Sequence, residues 1–508
     1  MALGKLIVSA LCCCAAFACL SGIRRARCRA PFPPTPPPSW IPFVGNALQM
    51  PTRQEWLEMA KWARELGPVF MINALGSRII FISTPQIAQD LFVHRSKDYS
   101  DRPQSVMVSE LMGWKFAFSL MNFTDPAFSV FRRIFVREFS SHTMNTYREA
   151  ITHETHTCLR QLVQKPEDFR KHLYNQVVGS NMAIAYGYPN AHSEDAHVQA
   201  AEKAMQSIVA VMRPGSFWLV NVFPLLKYIP PWFPGANFRR VAQEGHKLVD
   251  NMRTGVLEWS LEQHKEGKTQ SSFFTRLMDS YQNGDISLDI VRDSCAAFHS
   301  VASDTTISAL LTFVLAMLHA PEVQARAQQE LDSVTGGRRL PDFSDRASLP
   351  YIDALVKEVL RWHPVAPFGL PHVSRVNYVY NGMFIPANTV ILPNQYAMCY
   401  DDTVYPEPHV FRPERFMGAN KQQDPDTVAF GFGARICPGR HLAQLILWLD
   451  FASILSCFTI ERPRDEDGKE YLPPREFTSG LTSHPEALEC RFVPRPGWSA
   501  VIQDSATS

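Results

Sequence analysis

The 508-residue sequence has no marked excess of charge of either sign, since 50 Lys and Arg residues balance 49 Asp and Glu residues to a formal net charge of +1. A chain this close to neutrality gives no reason to propose nucleic acid as a partner. Internal repeats of about 20–50 residues are also lacking, which argues against a solenoid or a propeller. The composition, 46% hydrophobic and 19% charged, is that of an ordinary globular protein.

A regular cysteine pattern is lacking too. The 11 cysteines form no CxxC pair, five of them lie within the first 28 residues, and the other six are widely scattered. An odd number of irregularly spaced cysteines does not describe a disulfide framework, and structural zinc is not indicated. The pattern therefore predicts reduced thiols in a protein that faces the cytosol.

The sequence also has no complete dinucleotide-binding loop. Gly431 and Gly433 have the spacing of the first two glycines of such a loop, but Ile436 occupies the position of the third. No strand–helix–strand pattern surrounds them, and no flavin-binding motif is found elsewhere. A redox enzyme built on this chain must receive its electrons from another protein.

Charged residues are absent from Leu6 to Ile23, a run of about 27 Å as a helix, which is enough to cross a thin hydrocarbon core. Lys5 precedes the run, and four arginines follow it at positions 24, 25, 27 and 29. This charge order predicts a single-pass anchor with the body of the protein in the cytosol. A cleaved signal peptide is the alternative, with Ala15, Ala16 and Ala18 as small residues near the cleavage site, but the charge order is inverted for a secretory signal.

The stretch Pro31–Pro42 is so rich in proline that a helix is excluded and a stiff polyproline spacer is favoured. The predicted organisation is therefore an anchor at residues 6–23, a basic and proline-rich hinge at 24–42, one large domain at 43–500 and a short tail at 501–508.

The stretch Phe430–Gly439, with the sequence FGFGARICPG, carries the main chemical indication. Its glycines allow the backbone to turn tightly and to approach a flat ligand. Cys437 stands just before an apolar stretch of helical character, and a helix N-terminus stabilises a thiolate. Arg435 supplies a cation suited to a carboxylate. A lone buried cysteine is usually inert, so the indication rests on the whole stretch.

This stretch resembles the cysteine-ligand signature of the cytochrome P-450 family, Phe-x-x-Gly-x-Arg-x-Cys-x-Gly. Every fixed position is filled, by Phe430, Gly433, Arg435, Cys437 and Gly439. The resemblance covers nearly the whole chain after the predicted anchor. It implies a mainly α fold with small β-sheets (α+β) in a single large haem domain. It also implies haem b (iron protoporphyrin IX) as the cofactor, with Cys437 as the axial ligand of the iron.

A second family element is Glu358-Val-Leu-Arg361, followed some fifty residues later by Arg415. Residues three apart share a helix face, so Glu358 and Arg361 can pair. As an isolated pair they would be an ordinary surface contact worth little. The resemblance instead implies a buried Glu-Arg-Arg cluster that locks the haem-binding core.

The third element is Val301-Ala302-Ser-Asp304-Thr305-Thr, within a helix predicted from about Ile290 to His319. An acid next to a hydroxyl is unfavourable in the middle of a helix unless the pair has a task. By resemblance, Thr305 hydrogen-bonds the oxygen being activated, and Asp304 helps to relay protons from solvent. Val301 and Ala302 replace the small residue and the glycine of the family pattern. Ordinary polar residues in a helix are the alternative.

The fourth element departs from the family. Arg132 is present where the family places a propionate-binding arginine, but Phe128 stands where it has tryptophan, and Phe128 has no indole N–H to donate. Arg132 and His372 are expected to contact the haem propionates. The loss of the tryptophan predicts weaker haem binding than in relatives.

The resemblance implies a monooxygenase that uses O2, an NADPH–cytochrome P-450 reductase and a lipophilic small molecule, in the membrane of the endoplasmic reticulum. Cations expected to face the reductase are Arg132, Arg133, Arg137 and Arg440. The family's substrate-recognition regions map onto Ser105–Phe118, Phe217–Phe233, the helix before Asp304, Val365–Leu370 and Phe477–Leu481. The aromatic stretch Ile229–Pro234 is expected to dip into the membrane surface.

Within the family, the chain resembles fungal microsomal members of natural-product pathways, of the tryptamine 4-hydroxylase and sterigmatocystin types. Segments that carry this likeness are Glu110–Trp114 and Phe223–Pro230. A terpenoid or an aromatic metabolite is the expected substrate, and a broad-specificity oxidation of xenobiotics is an alternative. An isomerase or dehydratase of the same fold, or a non-catalytic haem protein, remains open. The acid–threonine pair, which such isomerases commonly lose, favours oxygen activation.

Overall fold

The structure is a computed structural model that describes residues 30–37, 44–74, 76–212 and 218–504. The predicted anchor at 6–23, much of the hinge and the end of the tail lie outside these residues. The chain divides into two compact units. The first takes the residues up to Pro103 together with Phe368–Met398 and Phe432–Ala434, and the second takes Gln104–Pro367, Cys399–Gly431 and the residues from Arg435 onward.

The first unit contains two small sheets. Its strands are β1 (Val69–Ala74), β2 (Ser77–Ile82), β3 (His372–Val373), β4 (Tyr378–Tyr380), β5 (Met383–Ile385) and β6 (Val390–Pro393). One sheet has the order β1-β2-β6-β3, in which only β2 and β6 run parallel, and β4 pairs with β5 in a hairpin. Asn381 and Gly382 both have positive φ at the hairpin turn, as a two-residue turn of this kind requires.

The long helix of the first unit is α1 (Glu55–Leu66), and its buried face carries Met59 and Trp62. These side chains pack on Phe70 and Phe81 from neighbouring strands to form a hydrophobic core. Shorter helical segments of this unit are Ala47–Gln49, Pro85–Ala88, Gln89–His94, Ser96–Tyr99 and Gln395–Cys399.

The second unit is mainly helical. Its longer helices are α2 (Pro126–Glu138), α3 (Arg148–Gln164), α4 (Phe169–Tyr186), α5 (Ala196–Met212), α6 (Asn237–Lys265), α7 (Phe273–Gln282), α8 (Leu288–His319), α9 (Pro321–Thr335), α10 (Pro350–Trp362) and α11 (Arg440–Cys457). Shorter helical segments are Val106–Leu111, Trp114–Phe116, Phe118–Leu120, Thr143–Tyr147, Pro166–Asp168, Leu219–Val222, Pro224–Tyr228, Asp345–Ser348, Pro413–Phe416, Asp426–Ala429 and Trp498–Asp504. An antiparallel pair, β7 (Phe458–Glu461) and β8 (Arg491–Pro494), completes it.

Helix α8 forms the centre of the second unit. Ser287 caps its N-terminus by accepting a hydrogen bond from the Ile290 amide. The helix is apolar all round and packs against α4, α6, α7 and α11. By length and composition it could cross a membrane, but 72% of its most apolar window is buried in protein, as in the core helix of a globular body.

Candidate functional site

Cys437 lies in a loop that a hydrogen bond between two backbone groups closes. Its amide donates a hydrogen bond of 2.7 Å to the Phe430 carbonyl, and α11 begins three residues later. Burial raises the pKa of the Cys437 thiol above its usual value, while the amides of Gly439 and Arg440 and the guanidinium of Arg132 act in the opposite direction. A metal on the sulfur would take the place of the proton, so burial does not disfavour a thiolate ligand here.

Arg132 reaches the same loop from helix α2. Its Nη1 donates a 2.7 Å hydrogen bond to the carbonyl of Ile436, the residue before Cys437. At the start of α2, Asp125 accepts a hydrogen bond from the Ala127 amide, and Pro126 occupies the first turn. The helix start thereby fixes the position of Arg132 beside the cysteine.

Arg435, two residues before Cys437, is held by the segment that precedes α2. Its guanidinium donates to the carbonyls of Phe118 and Met121 at 3.3 and 2.5 Å and lies over the ring of Phe128. Phe128 is buried on α2 and packs against Phe123. The residue that replaces the family's tryptophan therefore contacts the arginine of the cysteine signature, which the sequence did not predict.

Gly433 and His372 belong to the first unit. Gly433 has φ +54°, and a Cβ at this position would lie 2.2 Å from the Phe92 carbonyl oxygen. The buried His372 donates from Nδ1 to the Tyr99 carbonyl at 2.6 Å, and its ring stacks on Phe92 with 3.8 Å between centres. These contacts fix the orientation of the imidazole within that unit.

Glu358, Arg361 and Arg415 lie together, with side chains fully removed from solvent. Arg361 donates two hydrogen bonds of 2.8 Å to the two oxygens of Glu358, and Nε of Arg415 lies 3.4 Å from Oε1. The Arg412 amide donates to the same Oε1 at 2.8 Å, and Arg361 also reaches the Cys399 carbonyl. The carboxylate thus anchors α10 to the chain around Arg412 and Arg415.

Helix α8 is buried over most of its length but opens between Val301 and Thr305. Val301 is 47% exposed, and Asp304 and Thr305 are exposed as well, although the residues on both sides are buried. The Thr305 hydroxyl donates to the Val301 carbonyl at 3.2 Å, one turn back. Asp304 and Thr305 are therefore accessible in the middle of an otherwise buried helix.

The Asp304 carboxylate has two side-chain partners that no sequence motif indicates. Its Oδ1 lies 3.0 Å from Nε2 of His484, and its Oδ2 accepts a hydrogen bond from the Thr482 hydroxyl. Desolvation raises the pKa of Asp304, but these hydrogen bonds and the nearby imidazole outweigh it and leave the pKa below its usual value. Thr482 lies 178 residues beyond Asp304, and no motif relates the two.

Comparisons with known proteins agree with these features. The family model described as Cytochrome P450 matches residues 34–490. Tryptamine 4-monooxygenase of Psilocybe cyanescens is 37% identical over 482 residues, covering 93% of this chain and 94% of that protein. The chain belongs to the cytochrome P450 family. A P450 monooxygenase of Rhodocybe pseudopiperita is also 37% identical, over 471 residues, covering 91% of this P450 and 89% of that protein.

The fold agrees with that of a solved structure of a zebra fish cytochrome P450 with abiraterone. The two superpose with a TM-score of 0.69 at 22% identity, over 87% of this chain and 99% of the other. The predicted mainly helical fold with small sheets is therefore confirmed. As a member of this family the protein is a monooxygenase, its cofactor is haem b, and its reaction needs O2, a redox partner and a small-molecule substrate.

The residues around Cys437 fit a haem. A Cβ at Gly439 would lie 3.9 Å from Sγ of Cys437, which is an ordinary van der Waals contact. The sulfur also meets main-chain amides and Arg132, which suit a thiolate. Trp114, buried in the same unit, has an indole Nε1 without a hydrogen-bond partner among the described residues. The donors around the sulfur therefore agree with a cofactor bound through a thiolate.

Proposed function

We propose that this P450 inserts one oxygen atom from O2 into a lipophilic small molecule, by hydroxylation of a C–H bond or by epoxidation, in fungal natural-product metabolism. The observation that carries the proposal lies within the second unit. The cysteine loop precedes α11, and α11 packs against α8, the helix that exposes Asp304 and Thr305. The fungal origin of both relatives, one of which is named tryptamine 4-monooxygenase, supports the fungal context.

Haem bound through a thiolate supplies the activation of O2. Cys437 would hold the iron of this group, and the amides of Gly439 and Arg440 would stabilise the charge on the sulfur. Phe430, Gly433 and Gly439 shape the loop, and Arg132, Arg435 and His372 are assigned to the haem propionates. Glu358, Arg361 and Arg415 hold the surrounding backbone.

Thr305 and Asp304 are assigned to proton delivery. The Thr305 hydroxyl can donate a hydrogen bond towards the space beside the helix and accept one in turn. The Asp304 carboxylate lies half-exposed one residue away and can pass protons from solvent. We expect Thr305→Ala to divert electrons from product to hydrogen peroxide while leaving the spectrum of the bound haem unchanged.

A lipophilic substrate is favoured by the apolar side chains that stay exposed near this acid. Val301 and Leu481 are 47% and 44% exposed, and they flank Asp304 and Thr482 in sequence. Apolar lining with few polar groups is typical of sites for small lipophilic molecules. Indoles, terpenoids and other aromatic metabolites are the first candidates, and the relative that bears the name tryptamine 4-monooxygenase makes tryptamine the first compound to test.

The membrane is the proposed location of the enzyme, with the anchor at residues 6–23, the hinge at 24–42, the catalytic domain at 43–500 facing the cytosol and the tail at 501–508. Exposed apolar side chains in Leu219–Phe233 support a second membrane contact, with Leu225 at 80%, Tyr228 at 74% and Trp232 at 76% exposure. Aromatic side chains favour the membrane interface. Trp232→Glu should therefore weaken binding to lipid vesicles, whereas the equally drastic Val410→Glu elsewhere should not.

An NADPH–cytochrome P-450 reductase is the proposed electron donor. Of the four arginines expected to face it, Arg133 and Arg137 are exposed on α2, although Arg137 also pairs with Glu138 at 2.7 Å. Arg132 and Arg440 are partly buried and reach carbonyls of the cysteine loop. We therefore place the docking surface on the exposed face of α2, where cations meet an acidic partner.

The decisive experiment uses the full chain purified with haem. The reduced protein with carbon monoxide should absorb at the red-shifted position typical of thiolate ligation, and Cys437→Ala should lose this band. With reductase, NADPH and labelled O2, the product should carry one labelled oxygen atom. A product formed without NADPH would instead identify an isomerase or dehydratase, and a thiolate band without turnover of any candidate would favour a non-catalytic haem protein.

A further inference from the structure

The contact between Asp304 and His484 joins two parts of the second unit that are far apart in sequence. The two side chains are 3.0 Å apart, and they are 52% and 23% exposed, so both can exchange protons with water. Thr482 donates to the other oxygen of Asp304 and fixes the rotation of the carboxylate. Asp304 therefore has one oxygen held by a hydroxyl and one facing an imidazole.

The segment that carries His484 is held in place by its neighbours. The Thr478 amide donates to the His484 carbonyl at 2.8 Å, and the His484 amide donates to the Thr478 hydroxyl at 3.0 Å. Between them, Ser483 donates from its amide to the Val365 carbonyl at 2.9 Å, and its own carbonyl accepts from the Ser308 hydroxyl of α8. The imidazole is thus presented to Asp304 by a fixed turn tied to the same helix.

Other titratable groups lie near the Asp304–His484 pair, but none of those described below takes the place of His484 beside the carboxylate. The charge of His484 acts on the buried His363, which burial and Arg475 keep at a pKa well below its ordinary value. The phenol of Tyr174 interacts with the charge of Asp304 and donates a hydrogen bond to Glu202. Burial and the two carboxylates raise the pKa of Tyr174, so this phenol holds its proton. Among these titratable groups, His484 is the one in direct contact with the Asp304 carboxylate.

A histidine in contact with Asp304 differs from a permanently charged side chain. An arginine or lysine here would hold Asp304 as a permanent ion pair and could not supply a proton near neutral pH. A partly exposed ion pair contributes little to stability, so holding the fold together does not explain the contact. An imidazolium can instead give its Nε2 proton to the carboxylate and then recover one.

We propose that His484 is a positioning residue that reloads Asp304 with protons during turnover. The Nε2–H bond of the imidazolium breaks as an O–H bond forms on Asp304, which leaves both groups neutral. The imidazole then takes a proton from hydronium or a buffer acid, and Asp304 passes its own proton on towards Thr305. Thr482 keeps the carboxylate oriented throughout. This inference rests on the proposed role of Asp304 in oxygen activation.

The test compares haem-loaded full-length protein with three variants. His484→Gln keeps an N–H donor for Asp304 but cannot titrate, Thr482→Val removes only the orienting hydrogen bond, and His153→Gln changes an exposed histidine elsewhere. With reductase and substrate, we expect the product formed per NADPH to fall about tenfold in His484→Gln. The dependence of this coupling on pH seen in the parent should also vanish in His484→Gln, whereas His153→Gln should behave like the parent.

A second measurement does not depend on turnover. Nuclear magnetic resonance of protein labelled at histidine Cε1 follows the titration of the His484 ring, identified by its absence in His484→Gln. In Asp304→Asn this ring should lose its proton at a lower pH, because the carboxylate that favours the imidazolium is gone. An unchanged titration, or parent-like coupling and pH profile in His484→Gln, would overturn the proposal.

Failure of the proposed role of Asp304 and failure of the relay through His484 give different results. If Asp304→Asn itself couples electrons to product as well as the parent, the proposed role of Asp304 is wrong, and the relay is wrong with it. If Asp304→Asn is uncoupled while His484→Gln is not, only the relay is wrong, and Asp304 draws its protons from another source. Carbon monoxide spectra of all variants verify that each retains its haem.

Discussion

The guanidinium of Arg435 lies 4.0 Å from the centre of the Phe128 ring. A cation over an aromatic face gains about 0.5–2 kcal/mol, depending on how far it is desolvated. Phe128 therefore holds Arg435 in place through this contact, although a phenyl ring cannot donate a hydrogen bond.

Phe128→Leu should accordingly release haem faster, by about 2- to 30-fold, since Arg435 loses its support. Haem transfer to an excess of a high-affinity acceptor protein measures this rate. Phe131→Leu is the matched control, because Phe131 is equally buried on α2 and stacks on Phe118 rather than on a cation. Equal rates for the two variants would show that the contact with Arg435 has no part in retaining haem.

Glu358→Ala should yield no haem-loaded protein. The change strands the buried cations of Arg361 and Arg415 and removes the acceptor of the Arg412 amide, a loss of about 3–5 kcal/mol. The ratio of haem to protein after purification checks this, together with the denaturant midpoint. Glu194→Ala breaks the exposed pair with Lys171 and should leave both values unchanged. Normal haem incorporation in Glu358→Ala would refute the structural role of the cluster.

Gly433→Ala should be far more damaging than Gly382→Ala. Both glycines have positive φ, at +54° and +77°, so both variants lose about 1–2 kcal/mol for a left-handed alanine. Only at Gly433 does the new methyl group meet a backbone oxygen, that of Phe92 at 2.2 Å, whereas open space surrounds Gly382. Denaturant midpoints and haem content measure the difference. Similar values for the two variants would contradict a tight approach of the chain at Gly433.

The sequence was sufficient for the family, the fold class and the cofactor, because these depend on short patterns. The ten residues around Cys437 and the Glu358–Arg361 spacing encode local geometry that a helix or a tight loop must adopt. The predicted helix from about Ile290 proved to start at Leu288, since Ser287 supplies a cap that the apolar pattern alone does not mark.

The contacts made through tertiary packing were not predictable. The Asp304–His484 pair depends on where a turn 180 residues later is placed, and nothing near either residue indicates the other. The contact of Arg435 with Phe128 likewise joins the cysteine loop to α2. The described residues form two compact units, because Phe368–Met398 returns to the sheet near the start of the chain, and no local pattern marks this return.

Asp450 is a buried acid on α11 whose ionisation should limit stability at high pH. Its side chain is 2% exposed, Oδ1 accepts a 2.8 Å hydrogen bond from Thr155 on α3, and Oδ2 has no hydrogen-bond partner among the described residues. Burial raises the pKa of Asp450 to about 7, and the Thr155 hydrogen bond lowers it only in part. The folded protein therefore keeps a proton that the unfolded chain gives up near pH 4.

The direction in which stability changes with pH follows from this difference in pKa. Below about pH 4 both states hold the proton, and the neutral carboxyl contributes its full stability. Between about pH 4 and 7 the folded state binds more protons than the unfolded chain, so stability falls as the pH rises, and the loss is complete above about pH 7. Asp450→Asn cannot ionise and should escape this loss, which is on the order of 2–4 kcal/mol.

The measurement is the unfolding temperature of the haem-loaded protein from pH 4.5 to 8.5. The difference between Asp450→Asn and the parent should shift in favour of the variant as the pH rises to about 7 and then stay constant. Asp402→Asn, at an exposed site, should follow the parent at every pH. Parallel curves for Asp450→Asn and the parent would mean that Asp450 loses its proton no less readily in the folded protein than in the unfolded chain.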